Sequence, residues 1–115
     1  MPGCRYLIVL RAAAPPTPRA YRSSLRAAGI SPEYRTWRDA AGWEAKTQLI
    51  GVKPIKGPFT VKIEVPVTRR DLDNHCKPLL DLCQAVGAIQ DDRFAEEIHL
   101  YRVDRDGALV ELTAL

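Results

Sequence analysis

Phe59 to Val65 alternate without a break: Phe59, Val61, Ile63 and Val65 are apolar, and Thr60, Lys62 and Glu64 between them are polar. Successive side chains of an extended chain point to opposite faces, so this run reads as a strand with one face in a core and the other toward water. Such a strand needs partner strands beside it and a layer to cover its apolar face. The chain has 115 residues, enough for one such core and too few for two.

Candidates for those partners are easy to find. Arg5 to Arg11 reads as a first strand, ended by Ala14-Pro15-Pro16-Thr17-Pro18. Glu97–Val103 and Ala108–Ala114 read as two more, and Asp106-Gly107 between them is the tight-turn signal of a hairpin. Three helices are expected. Thr17 suits an N-cap, with Pro18 at the first helical position and Gly29 as the stop. Tyr21, Leu25 and Ala28 share one face of that helix, and Arg19, Arg22 and Arg26 share another. Ser31-Pro32-Glu33 starts a second helix that runs to about Ile50, with Tyr34, Trp37, Ala41 and Ala45 toward its buried side and Gly51 at its end. Trp43 lies six residues from Trp37, so the two cannot both face the core. Trp43 is left to stack on a base, to meet a second chain, or to pack against its own.

The third helix runs from near Asn74 to Val86, with Gly87 in the stop position and Cys76, Leu79, Leu80 and Cys83 as its apolar stripe. Pro78 is tolerable only in a first turn, so regular helix begins close to it. The order of strand, two helices, strand, helix, hairpin predicts a single α/β (α+β) domain over residues 1–115. Its mixed four-stranded sheet would carry the helices packed against it.

Several classes drop out. No apolar run approaches the roughly 20 residues of a membrane span. The apolar stretch Tyr6–Leu10 is closed by Arg11 and is too short for the core of a signal peptide. Cys4, Cys76 and Cys83 are an odd count. Cys76 and Cys83, seven apart on a helix, stand about 10 Å from each other along its axis, beyond disulfide reach. A reducing cytoplasm fits this usage. No C-x-x-C pair is present, which argues against a zinc module.

The net charge of +3 conceals a division. Residues 1–57 carry ten basic and three acidic side chains, and residues 58–115 carry seven basic and eleven acidic. Basic surface attracts a polyanion, and clustered carboxylates attract a hard cation. Arg19, Arg22 and Arg26, with Arg35 and Arg38, form either a phosphate-binding surface or a solvated basic face.

The acidic residues cluster in Thr68-Arg69-Arg70-Asp71-Leu72-Asp73-Asn74-His75-Cys76-Lys77, between the alternating strand and the third helix. In extended or turn backbone, Asp71 and Asp73 would point to the same face and repel unless a cation lay between them. Mg²⁺ binds through few carboxylates and keeps waters for a phosphate. Asp91-Asp92 follow the helix, and a sharp return of the chain would bring Asp92 back beside Asp71. Other roles are open to each: Asp73 or Asn74 as a helix cap, Asp91-Asp92 as a solvated turn. Lys77 either assists at a scissile phosphate or pairs with Asp81, four residues on. His75 is either a proton shuttle or a partly exposed helix residue.

Arg69-Arg70-Asp71-Leu72-Asp73-Asn74, then Lys77, then Asp81-Leu82, then Gly87 and Asp91-Asp92, resembles the signature of the RusA family. These are Holliday-junction resolvases, often of prophage origin. The resemblance is close over residues 69–92. Pro15-Pro16-Thr17-Pro18, His75, Cys76 and Pro78 differ from the family's usual residues. It implies a small homodimeric α/β domain that cleaves four-way DNA junctions symmetrically with Mg²⁺, for which Mn²⁺ is a substitute. The family's essential acids fall on Asp71, Asp73 and Asp92, with Asp91 a further candidate, and its essential lysine falls on Lys77. Arg69 and Arg70 then join the other arginines as DNA contacts. The competing expectation is a non-catalytic DNA-binding phage accessory protein with a structural acidic cluster. A nuclease acting on RNA or flaps is a third.

Overall fold

A computed structural model of the chain describes residues 3–15, 32–68 and 71–115. The helix expected from Thr17 to Gly29 lies outside the described residues, and so do Arg19, Arg22, Arg26, Arg69 and Arg70.

The alternating run forms β2 (Phe59–Pro66), with Phe59, Val61, Ile63 and Val65 buried. Each such side chain withdrawn from water contributes on the order of 1.5–3 kcal/mol. β2 lies inside a four-stranded mixed sheet that also holds β1 (Arg5–Leu10), β3 (Ala95–Val103) and β4 (Ala108–Ala114), in the order β1-β4-β2-β3. β4 runs antiparallel to both β1 and β2, pairing Val110 with Ile8 and with Ile63. β3 runs parallel to β2, with Leu100 beside Ile63.

This order corrects the expected hairpin. β3 and β4 are not neighbours, because β2 lies between them. Asp104–Gly107 reverses the chain as the turn signal requires, but carries it past β2 to its far side. Strands lie about 4.8 Å apart, so skipping one needs a step of about 10 Å, within the reach of four residues. Once Ala108, Val110, Leu112 and Ala114 can bury one face between β1 and β2, pairing with the thinly covered β3 is the poorer alternative. Ile98 and Tyr101 of β3 remain exposed.

Among the described residues two helices cover the apolar face. α1 (Pro32–Gln48) buries Tyr34, Trp37, Ala41 and Ala45 as its spacing predicts, and packs on β1 and on α2 (Cys76–Ala85). The Trp37 indole N–H donates to the Ala12 carbonyl at 2.8 Å. Gln48 of α1 both accepts from the Val9 N–H (2.7 Å) and donates to the Val9 carbonyl (2.8 Å), while Glu44 accepts from the Arg11 N–H. Side chains thereby occupy the outer edge of β1. α2 buries Pro78, Leu79, Leu80, Leu82 and Cys83, with Pro78 in its first turn. No helix of the described residues is long and apolar enough to cross a membrane.

Candidate functional site

The acidic segment follows β2, and of the extended or turn backbone expected it takes the turn. Leu72–His75 form a 3-10 turn leading directly into α2. Asp71 precedes it as the N-cap residue, without a side-chain capping bond, and its carbonyl accepts from the Asn74 N–H at 3.2 Å. Asp71 keeps extended backbone, at φ −60° and ψ 138°, and Asp73 is the second residue of the turn that follows. Neither Asp73 nor Asn74 is the N-cap of α2. That position belongs to His75, whose side chain makes no capping bond.

His75 is also corrected. It is buried rather than partly exposed, and its Nε2 lies 3.5 Å from the Thr68 hydroxyl. It belongs to the interior beneath the site.

The chain does turn back after α2, but it brings Asp92 to Lys77 and not into any described contact with Asp71, and the chemistry of the turn is local. Gly87 has φ +83°, a conformation that L side chains rarely adopt. Its N–H donates to the Gln84 carbonyl, and the Ala88 N–H donates to the Cys83 carbonyl, closing α2 with a Schellman motif. A parallel bridge between Ile89 and Ile55 then anchors the returning chain, with bonds from Ile55 N–H to the Ala88 carbonyl and from Gln90 N–H to the Ile55 carbonyl. Asp92 comes to rest on α2. Its Oδ2 stands 2.8 Å from Lys77 Nζ, and its backbone N–H donates to Gln84 Oε1 at 3.2 Å.

Lys77 is shared. Asp81 Oδ1 stands 3.1 Å from the same ammonium, so the pairing with Asp81 and a place beside the acidic site hold together. Asp92 and Asp81 hold the Lys77 pKa well above the usual lysine range, the hydrogen bond that Lys77 donates to Asp92 being the largest cause. Asp73 and Asp92 also meet electrostatically at Cys76. Burial pushes that thiol up; Lys77 opposes the shift, and Asp73 and Asp92 add to it. Asp91 faces elsewhere: its carboxylate accepts from the Arg93 N–H and pairs with the Arg93 guanidinium at 3.4 Å, capping a short 3-10 turn over Asp92–Phe94.

Asp92, Lys77 and Asp81 are thus in contact, with Asp73 nearby, while Asp71 is exposed at the start of the turn. Among the described residues no three His, Cys, Asp or Glu side chains stand close enough to share a metal ion. The donor chemistry of Asp71, Asp73 and Asp92 is all carboxylate oxygen, which suits a hard divalent cation. Gln84 was missed as a supporting residue, although Lys77, Asp81 and Gln84 at spacings of four and three share one helical face. Arg35 is exposed on α1 and Arg38 half-buried beside it.

The family described as Endodeoxyribonuclease RusA matches residues 13–113. No curated protein matches the chain.

Proposed function

Since the chain belongs to the RusA endodeoxyribonuclease family, we propose that it resolves four-way DNA junctions by paired, Mg²⁺-dependent nicks, acting as a homodimer in the cytoplasm of a bacterium. The observation that carries this reading is the contact of Lys77 with Asp92 across fifteen residues of chain. It joins the lysine and the last acid of the family signature in one place.

Asp71, Asp73 and Asp92 are the residues that would hold Mg²⁺, for which their carboxylates would have to draw closer together. When bound, the ion supplies charge for the scissile phosphate and activates water. Lys77 acts as a fixed cation. With its pKa raised by two carboxylates it stays protonated throughout the neutral range, so it cannot serve as the general base. Its three N–H donors can keep Asp81 while turning toward a phosphate oxygen, freeing the Asp92 carboxylate. Gln84 holds the Asp92 backbone during that exchange. Arg35 and Arg38, with the arginines outside the described residues, would hold the phosphate backbone and so favour branched shape over base sequence. Two-fold symmetry would set two sites against opposed strands.

The experiment is cleavage of a synthetic four-way junction with Mg²⁺ by the wild-type protein and Asp73→Asn. The expected result is paired nicking by the wild type and its loss in the variant. Tight junction binding without cleavage by the wild type would instead indicate a DNA-binding accessory protein with a structural acidic cluster. Preferential cutting of RNA or flaps would reassign the substrate.

A further inference from the structure

A groove of roughly 350 Å³ runs between α1 and α2, lined by Arg38, Gly42, Trp43 and Lys46 on one side and by Leu82, Ala85 and Val86 on the other, with Asp39 on its rim. We propose that this groove is a slot for an unstacked nucleobase, in which Trp43 stacks the base and Arg38 and Lys46 hold the flanking phosphates. The inference rests on the nuclease reading above for its ligand class and adds a contact outside the acidic site.

The slot follows from spacing on α1. Arg38, Gly42 and Lys46 lie four apart and form one line along the helix. The middle member has no side chain, so the line has cationic ends and an empty centre. Among the described residues a Cβ placed at Gly42 would meet nothing within 4 Å, so the gap is open space rather than a close contact that demands glycine. Nor does the backbone require it, because Gly42 does not have positive φ. Glycine is disfavoured inside a helix, and here neither packing nor conformation accounts for it. An occupant of the gap does.

Trp43 identifies the occupant. Its side chain is 72% exposed, whereas Trp37, about a third of a turn round the helix, is 8% exposed. An indole left in water beside a groove offers a flat apolar surface, and every base has a matching face. Lys46 Nζ lies over one face of the Trp43 ring, 5.9 Å from its centroid, so a base stacking on that face would displace the ammonium toward the nucleotide's own phosphate. Arg38 adds a second cation, and Asp39 leaves the rim with a net single positive charge. The opposite wall is continuous with the acidic site: Ala85 lies four residues of α2, about 6 Å, beyond Asp81. A strand leaving the site along α2 would reach the slot, where a branch point can offer an unpaired base.

The test is titration of the protein with oligothymidylate in EDTA, followed by tryptophan fluorescence. Trp37 gives a buried reference signal, so quenching reports Trp43. The expected result is saturable quenching, with affinity about ten- to a hundredfold weaker in Trp43→Ala and largely restored in Trp43→Phe. Gly42→Met should weaken binding as strongly while melting no lower than wild type, because the added side chain fills open space. Binding without quenching, or unchanged affinity in both Trp43→Ala and Gly42→Met, would overturn the proposal. So would a loss of self-association in Trp43→Ala with affinity unchanged, which would assign the surface to a second copy of the chain. Junction cleavage is measured separately with Mg²⁺. Its absence removes the nuclease reading, whereas absent quenching with intact cleavage removes the slot alone.

Discussion

Lys77 holds a position that a sequence leaves ambiguous, between a surface ion pair and a place beside the acidic signature, and its two partners, Asp81 and Asp92, put it in both. Each link is exposed enough to add little stability, in the range of about 0–1 kcal/mol for such pairs. Their effect is on charge. A lysine whose folded pKa is raised keeps its ion-pair contribution in full below its unfolded value, near 10.4, and loses it only as pH rises through the folded value. Junction cleavage by the wild type should therefore show no limb due to Lys77 between about pH 6 and 9, measured as a single-turnover rate profile. Asp92→Asn removes the charge that meets Lys77 and should lower the cleavage rate by about a hundredfold or more, with junction affinity in EDTA retained. Much of this site was legible, because its acids and lysine sit in a short signature. The partnership of Lys77 with Asp92 was not, because fifteen residues and a chain reversal separate them.

Elements were legible where their ends are set locally. Pro78 confines the start of α2, Gly87 ends it, and strict alternation defines β2. Gly107 is a different kind of glycine from Gly42. It has φ +84°, and a Cβ there would fall 2.2 Å from the Leu10 carbonyl oxygen. Gly107→Ala should cost more than about 1 kcal/mol, visible as a lower denaturation midpoint, because both strain and a backbone clash oppose it. Ile63→Ala, in the middle of β2 and fully buried, should cost about 2–5 kcal/mol by the same measurement. On α2, burial pushes the Cys83 thiol up to about 12, so it should stay unlabelled by a thiol reagent at pH 8 until the protein unfolds.

At the scale of the whole molecule, the sheet explains how one small core supports a split charge distribution. α1 and its arginines lie over β1, and the acids gather where β2 gives way to α2 and where the chain returns toward β3. Paired nicking needs two such sites facing opposed strands. Sedimentation should therefore give a particle of twice the 12.8 kDa chain mass. Junction affinity should fall steeply with added salt, since the proposed contacts are mostly to phosphates.

The alternation of β2, the stripe of α2, the buried face of α1 and the acidic signature were determined by the sequence alone. Each depends on residues within a few positions of one another, where periodicity and backbone preference act directly. Tertiary structure decided the rest. Whether the strand after Asp106-Gly107 pairs with β3 or passes to the far side of β2 depends on which neighbours bury its face, and no turn residue encodes that. The same holds for Asp73, which the lead-in to α2 winds into a 3-10 turn after Asp71, and for Asp92, which the Ile55–Ile89 bridge returns to Lys77. Trp43 is left in water because Trp37 takes the core, and only the packing of α2 against α1 makes a groove beside it.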